Sequence, residues 1–238
     1  MLARMPRALS SDTHHESSTD RAGRVSPAAS KRVQLTDNLL VGRLTFMSSD
    51  TRSSLIDVAT SEIRRRGYSA FSYADLADAV GIRKPSIHHH FPTKEELGVA
   101  IVEAYTDAFA GELDRISART DDVVKRLRAY AGLYREGLAA GKGCLCGVLA
   151  SEVAVLPRRI QAGVRRFFDL NLRWLEQILR DARAGGALRP ATKPQHEAKT
   201  ILAALQGATF VSLSLQDPSA FDQVVTGLLK GLGTDQSA

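Results

Sequence analysis

The chain has 238 residues, 44% of them hydrophobic and 24% charged, a length and balance ordinary for a soluble globular protein with one sizeable core or two small ones. Two cysteines, Cys144 and Cys146, exclude a disulfide framework and favour a reducing cytoplasm. The net charge of +6 favours an anionic partner only weakly, because residues 47–100 carry seven basic and seven acidic side chains and the excess lies on either side of them.

Residues 1–46 show no sustained period and are rich in Ser, Thr, Arg and Ala, with Pro6 and Pro27. They are expected to be a disordered extension, since such a stretch buries too little to offset its ordering entropy. It is either a basic arm that brushes phosphates or a segment without a role, because Met47 opens a natural-looking start just before the first helix. No signal-peptide stretch is visible. The most apolar span, 201–215, is interrupted by Gln206 and reads as too short and too polar to cross a bilayer.

From Ser49 the pattern is helical. Leu55, Ile56, Ala59 and Ile63 recur at helical spacing, and Arg64, Arg65, Arg66 and Gly67 supply cations and a stop. Tyr68 and Phe71 fall in the next connection and are expected to plug a small core. Ser72 with Asp75 reads as the N-cap of a second helix whose inner stripe is Leu76, Ala77 and Val80. Gly81 marks a turn. A third helix runs from about Arg83 to His89, with Pro85 in its tolerant first turn. Thr93 to Glu96 is a capping box for a long fourth helix. Further helices are expected at about 94–117, 121–140, 144–155, 157–184, 194–215 and 218–231, punctuated by Pro157, Gly185, Gly186, Pro190, Pro194 and Pro218. No convincing strand alternation is present, so the fold class is all-α: a three-helix head over 47–100 and a helical body over 101–238, sharing the fourth helix.

Two short helices crossing at a glycine turn form a helix-turn-helix, which exposes the second of them for the major groove. Arg83, Lys84, Ser86, His88 and His89 then face outward, while Ile87 and Phe91 return to the core. Arg and Lys pair with guanine edges or phosphates, and Ser and His donate to either. Lys94 and the Ser72 hydroxyl sit at helix N-termini that favour phosphate. His88, His89 and His90 are no metal site, because consecutive helical residues point about 100° apart and cannot converge on one ion.

Residues 50–101 resemble the DNA-binding domain of the TetR family of bacterial transcriptional regulators. The matching residues are Phe71, Asp75, Leu76, Ala77, Val80, Gly81, Ile87, the run 88–91 and Pro92 to Leu97. Pro85 departs from the usual Gly or small residue, His88 from a common Tyr, and Arg83 from a frequent Ser; these affect which bases are read. The resemblance implies a homodimer on a palindromic operator and a ligand-binding body. The expected DNA-facing set is Ser72, Tyr73, Arg83, Lys84, Pro85, Ser86, His88, His89, His90 and Lys94. The expected ligand-lining set is Phe109, Tyr130, Tyr134, Cys144, Cys146, Leu149, Phe168, Leu172 and Trp174. Residue by residue the aromatics read first as core packing. Few charges fall among them, so an apolar or aromatic small inducer is expected.

The stretch Gly143 to Gly147 heads a helix and resembles Gly-Cys-Leu motifs of a TetR subgroup, some of whose members sense electrophiles through cysteine. It reads either as two inert buried thiols or as a sensor acting through Cys144. The last two helices carry Ala203, Ala204, Leu205, Gly207, Ala208, Val211 and Leu215, then Val224, Val225, Leu228 and Leu229. In the family such helices form a four-helix dimer interface, and they serve the internal core as well. Enzyme chemistry finds no support: there is no metal-ligand spacing, no phosphate-cradling loop and no nucleophile with a base. No cofactor is implied. A helical interaction module whose head has lost DNA binding remains as a third reading, against which Arg83, Lys84 and Lys94 argue.

Overall fold

The computed structural model describes residues 51–189, 191 and 193–232, which form nine helices and no strand. The extension 1–46 and the start at Met47 lie outside the described residues. The helices are α1 (Thr51–Arg66), α2 (Tyr73–Val80), α3 (Lys84–His90), α4 (Lys94–Arg119), α5 (Val123–Ala139), α6 (Leu145–Ser151), α7 (Arg158–Ala184), α8 (Pro194–Leu215) and α9 (Pro218–Gly231).

Local chemistry sets these boundaries. Ser72 accepts from the Asp75 N–H while Asp75 accepts from the Ser72 N–H, and Thr93 and Glu96 repeat the arrangement at α4, so two helix starts are capped reciprocally. Gly81 ends α2 at φ 75°, a left-handed conformation that costs glycine nothing and turns α3 across α2. Asp122 caps α5 by accepting from the N–H groups of Val124 and Lys125.

In the head, Leu55, Ala59, Ile63, Phe71, Leu76, Ile87, Phe91 and Leu97 are buried together. Each such side chain contributes about 1.5–3 kcal/mol relative to exposure, offsetting the ordering entropy of a very small unit. Helix α4, about 39 Å long at 1.5 Å per residue, gives Leu97 and Ile101 to this core and Phe109, Leu113 and Ile116 to the body. The body packs α7 between α4 and α8, with α9 closing on α8 and α5. By length and composition alone α8 is long and apolar enough to cross a bilayer, which the span 201–215 was not expected to be. It is nevertheless a core helix, with Ala198, Ile201, Leu202, Leu205, Ala208, Thr209 and Ser212 buried.

One element is shorter than the sequence pattern predicts. Helix α6 stops at Ser151 rather than near residue 155, and residues 152–155 continue as tight turns. Pro157 disfavours helical geometry in the residue before it. The Glu152 carboxylate is also drawn to the α1–α2 turn, where it accepts from backbone N–H groups.

Candidate nucleic-acid interface and ligand chamber

Helix α3 presents the expected face. Arg83, Lys84, Pro85, Ser86, His88 and His89 are exposed, while Ile87 beneath them is fully buried and holds the helix to the head. His90 is half-buried, its ring edge-on to His89 at 5.5 Å. His88 Nδ1 lies 3.1 Å from the Pro92 carbonyl oxygen, and its ring stands 4.9 Å from that of Tyr73. A carbonyl only accepts, so Nδ1 carries the proton and Nε2 is left as an acceptor in the neutral ring.

Three side chains of the expected DNA-facing set also make hydrogen bonds within the head. The Ser72 hydroxyl donates to Asp75 at 2.7 Å as part of the cap. The Tyr73 hydroxyl is shared between the carbonyls of Phe91 and Thr93, at 2.8 and 2.7 Å, tying the start of α2 to the α3–α4 turn. Burial, with Tyr68 and Glu96 adding, pushes the Tyr73 hydroxyl up to about 12, so it remains a donor. Lys94 Nζ donates to the Tyr68 carbonyl at 2.7 Å and sits 4.4 Å from the centre of the Tyr68 ring. Burial pulls its ammonium below the ordinary value, against the opposing charges of Glu152 and Asp75. The sequence places Lys94 correctly at the N-terminus of α4, where the Tyr68 ring and carbonyl also engage its charge.

Two long-range contacts join the head to α6. At its C-terminal end, Glu152 accepts from the N–H groups of Tyr68 and Ser69 at 2.7 and 2.8 Å and from the Ser69 hydroxyl. Burial raises this carboxyl, but the bonds from Ser69 and Tyr68 and the charge of Lys94 outweigh it and hold it below its ordinary value. Before its N-terminal end, Arg64 Nε donates to the Gly143 carbonyl at 2.7 Å. Helix α6 is therefore held at both ends by α1 and the α1–α2 turn.

Beneath α6 lies an aromatic cluster. Phe109 stands 5.0 Å from Phe167 and 6.2 Å from each of Tyr105, Tyr130 and Tyr134, with most of these rings edge-on. The hydroxyls of Tyr130 and Tyr134 are 3.0 Å apart, and Tyr130 also donates to Asn171 Oδ1 at 2.7 Å. Burial pushes both hydroxyls up, so they stay neutral donors. Of the expected lining residues, Phe109, Tyr130, Tyr134, Cys144, Cys146 and Leu149 are buried. Trp174 joins by stacking on Tyr130 at 5.3 Å and donates from its indole to Ser117. Phe168 touches the cluster through Phe167, at 5.6 Å. Leu172 is only half-buried against the core.

The sequence reading missed Arg64, Tyr105, Phe167, Asn171 and Gln206. Asn171 carried a signal: it is a polar residue four positions after Phe167 on a helix, and it is fully buried, its amide donating to the Phe167 carbonyl. Arg64 was hidden in a run of three arginines. Cys146 is fully buried, and burial with neighbouring Cys144 pushes its thiol well above the ordinary range. Cys144 Sγ accepts from the Tyr105 hydroxyl at 3.8 Å. Burial thus disfavours a reactive thiolate at Cys146. On the outer side of α8, Phe210, Val211 and Leu215 are exposed, at 37%, 53% and 63%.

Residues 55–101 match the family described as bacterial regulatory proteins, tetR family, and residues 123–228 match the tetracyclin repressor-like C-terminal domain. The chain is 30% identical over 167 residues to the transcriptional regulator AcuR of Cereibacter sphaeroides, an overlap of 68% of this chain and 75% of that protein. It is 26% identical over 186 residues to the HTH-type transcriptional repressor DhaR of a Mycobacterium species, spanning 76% of this chain and 91% of the relative. Among solved structures, a TetR-family regulator from Agrobacterium tumefaciens superposes with a TM-score of 0.73 at 31% identity, over 76% of this chain and 96% of that one. An exposed α3 on a buried Ile87, joined by one long helix to a helical body, thus agrees with matches over both halves: the chain is a DNA-binding regulator and belongs to the TetR family of bacterial transcriptional regulators.

Proposed function

We propose that the chain acts in the cytoplasm as a homodimeric repressor whose two heads lay α3 in successive major grooves of a palindromic operator, and that a small molecule in the body releases it. The observation that carries this reading is the outer face of α3, where Arg83, Lys84, Ser86, His88 and His89 stand exposed above a buried Ile87. Arg83 and Lys84 supply guanine or phosphate contacts and Ser86 and His88 shorter donors and acceptors. Residues 47–100 have no excess of positive charge, so recognition depends on where these groups sit. The exposed Phe210, Val211 and Leu215 of α8 support a second copy of the chain as the partner. Repression is favoured by the relative DhaR, which is named a repressor.

The route from ligand to DNA runs through α6. A ligand that rearranges the side chains beneath it shifts a population between two placements of the head, because both ends of α6 are bonded to α1 and its following turn. Selection of random duplex DNA by the purified chain, at two salt concentrations, tests the proposal. An enriched palindrome with half-sites about 34–36 Å apart or a multiple of it is expected. Only weak binding without sequence preference, vanishing with salt, refutes it.

A further inference from the structure

We infer that the ligand of this receptor is a small monocarboxylate whose carboxylate group pairs with Arg64. This rests on the reading of the body as a ligand-binding domain and names the chemistry it recognises.

Arg64 is the anomaly. It is 8% exposed, yet among the described residues no carboxylate pairs with it. Its Nε is taken by the Gly143 carbonyl, and its guanidinium carbon lies 5.9 Å from the centre of the Tyr105 ring. Neither of two carboxylates on neighbouring elements pairs with it among the described residues. Glu152 holds the turn at Tyr68 and Ser69. Glu136 is pushed up by burial and by Glu112, with no relief from Arg64. A guanidinium in the interior without a counter-charge is costly. A binding site explains why the chain keeps one there.

The groups beside Arg64 are donors with poor or missing partners. The Tyr105 hydroxyl, 8% exposed as a residue, has only the Cys144 sulfur at 3.8 Å, a weak acceptor that an oxygen anion readily replaces. Continuing across the seam, Cys144 adjoins Gly147, where a Cβ would lie 3.6 Å from Cys144 Cβ and would overlap Gln206 Oε1. Both amide atoms of Gln206 are buried without a hydrogen-bond partner, against the rule that buried polar groups are satisfied. Arg64, Tyr105 and Cys144 thus form a polar seam contributed by α1, α4 and the start of α6, and Gln206 of α8 flanks it on the other side of Gly147.

The chemistry of the seam selects the ligand. One fixed cation neutralises one negative charge, so a monoanion suits it better than a dianion. The two terminal nitrogens of a guanidinium match the two oxygens of a carboxylate. Phe109 and Phe167, packed against Tyr105, receive the apolar remainder, which must be small because the cluster is tightly filled. The Gln206 amide offers a donor and an acceptor for a further polar atom. Coupling is direct: the carboxylate binds the same guanidinium whose Nε, through the Gly143 carbonyl, ties α1 to the start of α6.

The test uses the full chain and an operator obtained by DNA selection. Propionate, butyrate and benzoate are compared with propionamide, butyramide and benzamide at matched ionic strength in sodium chloride, reading calorimetric binding, melting temperature and DNA release. At least one acid should bind and release DNA, with its amide at least about tenfold weaker. Arg64→Met should erase the difference between acid and amide, and Arg64→Lys should keep the preference for the acid. Equal binding of acid and amide by the natural chain overturns the inference. So does no binding of any acid up to about 10 mM, or an acid preference that survives Arg64→Met. If Arg64→Met does not fold, by circular dichroism, the natural chain and Arg64→Lys still decide. Sequence-selective DNA binding without a response to acids sinks the carboxylate and leaves the regulator standing, whereas loss of selective binding in the natural chain sinks the regulator reading itself.

Discussion

The contact between Gly67 and Glu152 offers a quantitative test of how the head is fastened. Gly67 ends α1 at φ 90°, and a Cβ there would overlap Glu152 Oε1. Gly67→Ala therefore meets two separable costs. Left-handed backbone costs a non-glycine residue about 1–2 kcal/mol. To clear the methyl, the carboxylate must retreat by about 1 Å, which stretches its 2.7 Å bond from the Tyr68 N–H beyond hydrogen-bonding reach. Bonds to a charged acceptor contribute about 1.5–3 kcal/mol, and this one, open to water at its edge, is discounted to about 1–2 kcal/mol. The sum of about 2–4 kcal/mol should lower the melting temperature by roughly 4–16 °C at 2–4 °C per kcal/mol. In a Glu152→Ala background only the backbone cost should remain, giving a coupling of about 1–2 kcal/mol by thermal or urea unfolding. Gly81→Ala is the control: φ is 75° and nothing lies within 4 Å of its Cβ position, so it should cost about 1–2 kcal/mol in either background. If Gly67→Ala costs the same with and without Glu152, the carboxylate is not fastening the turn and the α6 linkage fails with it.

Arg83→Ala and Lys84→Ala should each weaken the selected operator by about 1–3 kcal/mol and relax base preference at the positions they read, measured by binding to single-base operator variants; unchanged preference would remove them from base contacts. Lys94→Ala should lower the melting temperature through loss of the Tyr68 carbonyl contact while leaving the salt slope of DNA binding unchanged. A slope reduced by about one would restore Lys94 as a phosphate ligand. The Glu152 tie also has a pH signature. Its carboxyl is held below its ordinary 4.5 in the fold, so its contribution is complete above that value and is lost as pH falls through the lower folded one. The melting-temperature gap between the natural chain and Glu152→Gln should be constant above about pH 5 and close on acidification, and a gap that widens in acid would contradict the assignment.

Helix periods and caps were legible in the sequence because they are local. Ser72 with Asp75, Gly81, and Thr93 with Glu96 act within a few residues, and their structure follows that arithmetic. The buried Ile87 between the exposed Ser86 and His88 follows from a 100° step per residue, and Arg83 is exposed as the extended residue before the helix. The contacts that the sequence did not reveal are made to partners 18 to 84 positions away. Tyr73 reaches Phe91 and Thr93, Lys94 reaches Tyr68, and Glu152 reaches Tyr68 and Ser69. A lysine at a helix start reads as a phosphate ligand, and only the fold shows the Tyr68 ring and carbonyl beside it.

The arginine run of α1 makes the same point about the body. Arg64, Arg65 and Arg66 are equivalent as dipole-complementing cations in the sequence. In the fold Arg66 pairs with Glu62 and Asp75 at the surface, and Arg65 is exposed. Only Arg64 follows the inner stripe of Thr60 and Ile63 into the interior. A helical turn thus sorts three identical residues into an ion pair, a solvated charge and a buried cation without a carboxylate. The last of these alters the expected ligand: the aromatic residues taken singly imply an apolar inducer, whereas one guanidinium contributed by α1 makes the interior beneath α6 suited to an anion. Because that guanidinium belongs to the first helix of the head, the proposed carboxylate would be recognised by a side chain that also ties the head to α6.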